Sequence, residues 1–89
     1  MDGGYDGQNK RPVYVTVSFF HGTGAHFHVE MREQTDRNGD GRNRFMKFNR
    51  DETARRWIES TFQEEFSPET HRLVFRGDVN DTWYYPEGD

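Results

Sequence analysis

The residues best equipped for chemistry are three histidines, His21, His26 and His28, followed closely by Glu30 and Glu33. His26 and His28 stand two apart, the spacing that puts both imidazoles on one face of a strand. Two imidazoles and a carboxylate would supply the three protein ligands of an open zinc site. Against this His-based metal site stands the simpler reading of two exposed strand histidines. A hairpin loop at Gly22-Thr23-Gly24 would also pair His21 with Ala25 and turn it to the core side, away from the other two. The expectation is therefore no metal. A second stretch, Asp36-Arg-Asn38-Gly-Asp40-Gly41, matches the first half of a calcium-binding loop. It places Lys47 where a bidentate carboxylate is needed, so an ordinary hairpin connection is the better account.

Enzymatic motifs are otherwise missing. The chain has no cysteine, no nucleophile elbow, no zinc-protease histidine pair on a helix and no glycine loop of the kind that cradles phosphate. The expectation is a non-catalytic protein without a cofactor.

A third set of residues points to binding. Tyr14, Thr16, Ser18, Phe20, His26, His28, Glu30, Arg32, Phe45 and Lys47 fall on one side of alternating stretches and would form an aromatic surface interleaved with cations and hydrogen-bonding groups. Protein interfaces are enriched in Tyr, Phe and Arg, and single-stranded nucleic acid is read by base stacking on similar faces. The leading expectation is a module that docks a protein partner, or a second copy of itself, through Tyr14, Phe20, His26, His28, Arg32, Phe45 and Lys47. The alternative is DNA or RNA binding that adds a basic cluster of Arg42, Arg44, Lys47, Arg50, Arg55 and Arg56. Net charge is −4, which favours the protein partner. The charge is uneven, however: residues 10–76 hold all twelve basic groups and ten of the sixteen acidic ones. Such runs are most often solvated faces.

These residues need elements to hold them, and the stretch 44–66 defines the organisation. Met46 and Phe48 are two apart, as on one side of a strand, whereas Ala54, Trp57, Ile58, Thr61, Phe62 and Phe66 recur at helical spacing. Asn49 and Glu52 have the layout of a capping box, so the helix is expected from about Arg50. Ser67-Pro68 ends it. Upstream, Val13, Val15, Val17 and Phe19 alternate with Tyr14, Thr16, Ser18 and Phe20, and Phe27, Val29 and Met31 alternate with His28, Glu30 and Arg32. A three-residue loop pairs Phe19 with Phe27, Val17 with Val29 and Val15 with Met31, gathering the apolar residues on one side. Residues 72–76, with Leu73 and Phe75 inward, and 82–85 read as two further strands.

The expected fold is thus α+β, in the order βββαββ: an antiparallel sheet with a single helix packed on one face. One domain spans 12–86, with a disordered tail over 1–11 and a flexible C-terminus over 87–89. Eighty-nine residues with 30% apolar and 16% aromatic content make a small core that depends on large side chains. With no long apolar run and no secretory leader, the expectation is a soluble cytoplasmic chain with no membrane partner. The order of three strands and a helix, with the phrase Phe48-Asn-Arg-Asp-Glu-Thr-Ala-Arg-Arg-Trp57, resembles the layout of phage-integrase arm-binding DNA modules. That resemblance covers residues 13–62 and implies a sheet that enters the major groove.

Overall fold

The structure, a computed structural model, describes residues 10–34 and 41–85. The N-terminal tail up to residue 9, most of the calcium-like loop and the segment from Pro86 onward lie outside the described residues. Four strands form one sheet: β1 (Arg11–Phe19), β2 (Phe27–Glu33), β3 (Asn43–Phe48) and β4 (His71–Gly77). Their order across the sheet is β3-β2-β1-β4. Helix α1 (Asp51–Thr61) continues into a π-helical turn over Phe62–Phe66, and a one-turn helix α2 (Asp81–Tyr84) follows β4.

The expected register of the first hairpin is the observed one, with Val15 opposite Met31, Val17 opposite Val29 and Phe19 opposite Phe27. Burial of one face specifies it, since a slip by one residue would turn the valines to water. Val13, Val15, Val17, Val29 and Met31 are fully buried together with Ala54 and Ile58 of α1, and Phe48, Phe66 and Phe75 complete the core. Each large apolar side chain buried in this way contributes on the order of 2 kcal/mol. The loop is wider than expected. Pairing stops at Phe19 and Phe27, the Phe20 N–H donates to the His26 carbonyl at 2.8 Å, and Gly22 and Gly24 both take positive φ. His21 is accordingly an exposed loop residue and not a partner of Ala25 on the core side.

The sheet is mixed, which corrects the expectation of an all-antiparallel one. β1 pairs with β2 and β2 with β3 antiparallel, but β4 lies parallel to β1. The direction follows from the helix. β3 runs parallel to β1 because two reversals separate them, α1 carries the chain back across the inner face, and the strand that follows must run forward again. Gly77 ends β4 at φ +87°, where an added Cβ would come within 2.5 Å of the Val17 carbonyl oxygen, so the close approach of β4 to β1 requires glycine there.

Two local expectations are also corrected. The cap of α1 is Arg50, in extended conformation and without a side-chain capping bond, so Asn49 and Glu52 form no capping box. Glu52 instead pairs with Arg56 one turn on. Residues 82–85 are not a fifth strand. Asn80 accepts a hydrogen bond from the Thr82 N–H at 3.0 Å and starts α2, and Trp83 and Tyr84 pack on Phe75. Aromatic residues favour strands only when a sheet neighbour is available; here a cap and a ring stack take them. The π turn is closed by Ser67, whose N–H reaches the Phe62 carbonyl at 2.7 Å, and it leaves Phe66 in the core. Among the described residues no helix is long and apolar enough to cross a membrane.

Candidate binding face

Strand alternation sends the remaining side chains of the sheet to the face opposite α1. Pairing places Thr16 between Glu30 and Arg76, and Glu30 between Thr16 and Phe45. One row along, Tyr14 lies between Arg32 and Val74; on the other side, His28 lies between Ser18 and Lys47. Four strands at about 4.8 Å spacing make this outer face roughly 14 Å wide. Phe20 and His26 stand at its hairpin end. The seven residues named from sequence for a partner are therefore brought onto one face or its rim.

The rings are organised and open. Phe20 stacks on His28 with centroids 3.8 Å apart, and Phe45 meets the same imidazole edge-on at 6.1 Å. Phe20 is 45% exposed and Phe45 54%. The Arg76 guanidinium lies over the Tyr14 ring, 3.7 Å from its centroid. The Asn43 amide donates to Glu30 Oε2 at 3.3 Å. Tyr14, Thr16, Glu30, Arg32, Asn43 and Arg76 line part of a depression of about 370 Å³. No described segment covers the face. Trp83 and Tyr84 sit on the helix side, where Trp83 lies under the Arg55 guanidinium and Tyr84 stacks on Phe75. Burial there pushes the Tyr84 hydroxyl up to about 12, with Glu59 and Tyr85 adding to the effect.

The basic cluster read along the chain does not assemble here. Of Arg42, Arg44, Lys47, Arg50, Arg55 and Arg56, Lys47 alone is on the outer face. Arg44 is opposite Met31 on the inner side and pairs with Glu65, while Arg42 donates to the Glu65 carbonyl and lies over Phe66. Arg55 bridges Asp51 at 3.3 Å and donates to the Trp83 carbonyl at 2.8 Å; Arg56 bridges Glu52 at 3.5 Å. Arg50 caps α1. In their place β4 supplies Arg72 and Arg76, which lie outside the set expected from sequence although alternation with Leu73 and Phe75 signals their direction.

Known proteins offer no guide to these residues. The chain matches no protein-family model, no curated protein and no solved structure.

The histidines do not converge. His28 is engaged with the two phenylalanines, His26 Nδ1 is 3.2 Å from the Phe20 carbonyl oxygen, and His21 is in the loop. Among the described residues no group of three metal-binding side chains occurs. The fourth histidine forms a separate cluster at the far end of the inner face. His71 Nε2 is 2.8 Å from Glu33 Oε2, His71 Nδ1 is 2.8 Å from Thr70 Oγ1, and the Arg42 N–H donates to Glu33 Oε1 at 3.2 Å. The His71 hydrogen bond, then the Arg42 N–H and the nearby Arg11, hold the Glu33 carboxyl below its ordinary value against the opposing effect of burial. Thr70, His71 and Glu33 follow the order of a nucleophile, base and carboxylate. No cavity for a substrate opens on Thr70 among those described, and its hydroxyl is also 3.3 Å from the Phe66 carbonyl oxygen. The cluster fastens β2 to β4 across β1.

Proposed function

We propose that this chain is a non-catalytic binding module that docks a macromolecular partner on the outer face of its sheet. The observation that carries the reading is the exposure of Phe20 and Phe45 on a face that no described segment covers. Phe19, Met46 and Tyr85 are exposed elsewhere, but Phe20 and Phe45, each about half in water, are gathered with cations on one face, as in interfaces. Phe45, Phe20, His28, Lys47, Arg32 and Tyr14 make the contacts in this reading.

Site-directed photocrosslinking tests it whatever the partner's chemical class. A benzophenone amino acid at position 45, compared with the same group at Gln63 on the helix side, reports which face is occupied in the native cells. Adducts from position 45 and not from 63 support the reading, and their mass distinguishes a second copy, another protein or nucleic acid. Equal adducts from both positions would refute it.

A further inference from the structure

We infer that the partner is single-stranded RNA. The inference rests on the outer face being the docking surface and adds its chemical class. It starts from how the fold sorts charge. Of the described residues, Arg32, Lys47, Arg72 and Arg76 point to the outer face together with Glu30, and Glu33, at the rim of the depression, is already engaged by His71, Arg11 and the Arg42 N–H, so cations outnumber acids on this face of a chain of net −4. Among the described residues none of the four cations has an acidic partner within ion-pair distance, whereas Arg44, Arg55 and Arg56 on the helix side all do. Charges left unpaired on one face of an acidic protein suit an anionic partner.

The arrangement of the cations narrows the class. Arg72 and Arg76 lie on one edge strand, Lys47 on the other and Arg32 between them, so they frame the face and do not form one pocket. A single small anion would need convergent donors, whereas a phosphate backbone crossing the strands meets them in turn. Between the cations stand planar groups. Phe45 and the Phe20–His28 stack offer ring faces to bases, and Arg76 over Tyr14 keeps its guanidinium edge available to phosphate. An acidic peptide would satisfy the charges but leave the rings unused. Duplex bases, stacked on each other, cannot stack on rings.

Glu30 selects ribose. It lies in the middle of the face between Thr16 and Phe45; Oε2 takes the Asn43 amide, and Oε1 has no partner among the described residues. An ionised carboxylate only accepts hydrogen bonds and would repel a phosphate, so the group it meets must be a donor. Base N–H groups are donors in DNA and RNA alike, so discrimination between the two rests on the 2′-hydroxyl, a sugar donor that RNA carries at every nucleotide and DNA lacks. This assignment reverses the order taken from sequence, in which a protein partner came first, because β4 adds two cations that the linear charge pattern did not place with the aromatics.

Fluorescence anisotropy with a labelled mixed-sequence RNA of about twelve nucleotides, its DNA counterpart and an RNA duplex decides it. Single-stranded RNA is expected to bind most tightly and to weaken steeply from about 50 to 200 mM salt. Arg32→Gln and Arg76→Gln should each lower the slope of log affinity against log salt by about 0.7. Phe45→Ala should weaken binding roughly tenfold with the slope unchanged. Glu30→Gln should bring RNA and DNA affinities together. Arg55→Gln and Arg56→Gln, on the helix side, should leave binding unchanged. Failure to bind the RNA at about 50 mM salt, equal binding of DNA or duplex, or equal competition by polyglutamate would overturn the inference. If those failures accompany protein adducts at position 45, the docking face stands and its RNA partner does not; if positions 45 and 63 crosslink alike, both fall.

Discussion

The two faces of the sheet are made by the same strands, residue by alternate residue, yet they obey different rules. On the inner face Val13, Val15, Val17, Val29 and Met31 are fully buried, and their neighbours are the aliphatic and aromatic side chains of α1, the π turn and β4. On the outer face rings and cations are held at defined spacing but left in water. The inner face explains why the chain folds. The outer face has no such account, because Phe20 and Phe45 keep about half of their surface in water in this fold, and that contrast is the ground on which a partner is proposed.

The contrast breaks first at Ile58. This side chain is fully buried on the inner side of α1, so Ile58→Ala removes buried methyl and methylene groups and leaves a cavity, at a cost of about 3 kcal/mol measured by urea denaturation. A loss below about 1 kcal/mol would mean that the helix is not seated on the sheet as described. Gly77→Ala is expected to cost about 2 kcal/mol by the same measurement. The left-handed backbone there disfavours any Cβ, and the Val17 carbonyl leaves no space for one. That variant tests the β1–β4 seam, and with it the position of Arg72 and Arg76 on the outer face.

That seam also marks the limit of what the chain alone makes legible. The hairpin of β1 and β2 is legible because its alternation is long and an odd loop is the only one that gathers both apolar sets on one side. The helix is legible for the same reason at a period of about 3.6. The direction of β4 is not written in its own residues: Leu73 and Phe75 look inward equally well from a parallel or an antiparallel strand, and the crossover by α1 decides. Residues 82–85 mislead because Trp83, Tyr84 and Tyr85 have strand propensity while the Asn80 cap that overrides it is a single side chain. The candidate site divides likewise. Tyr14, His28, Arg32, Phe45 and Lys47 follow from alternation within strands, whereas Arg42 to Arg56 crowd together in sequence and are dispersed by the turn from β3 into α1.

A third measurement separates the Glu33–His71 cluster from the hydrophobic core. Glu33 is held below its ordinary value of 4.5 chiefly by the His71 hydrogen bond, so its ionised form is favoured in the folded state. The stability it contributes is complete above the unfolded value and is lost as pH falls through the lower folded value. Wild type is therefore expected to exceed Glu33→Gln by about 1–2 kcal/mol near neutral pH, with the gap closing as pH falls below 4.5. A gap that persists unchanged to low pH would assign the contribution to shape and not to charge.

The smallest expected effect is the most informative about the outer face. Phe45 is 54% exposed and lies in a T-shaped arrangement with His28, so Phe45→Ala should change stability by no more than about 0.5 kcal/mol. A loss of about 2 kcal/mol or more would make the ring part of the fold, and the argument for a partner would lose the residue that carries it. A near-zero change joined to a roughly tenfold loss of RNA affinity has a different meaning. It would place the whole effect of that side chain in binding, the opposite of Ile58, which sits on the other side of the same sheet.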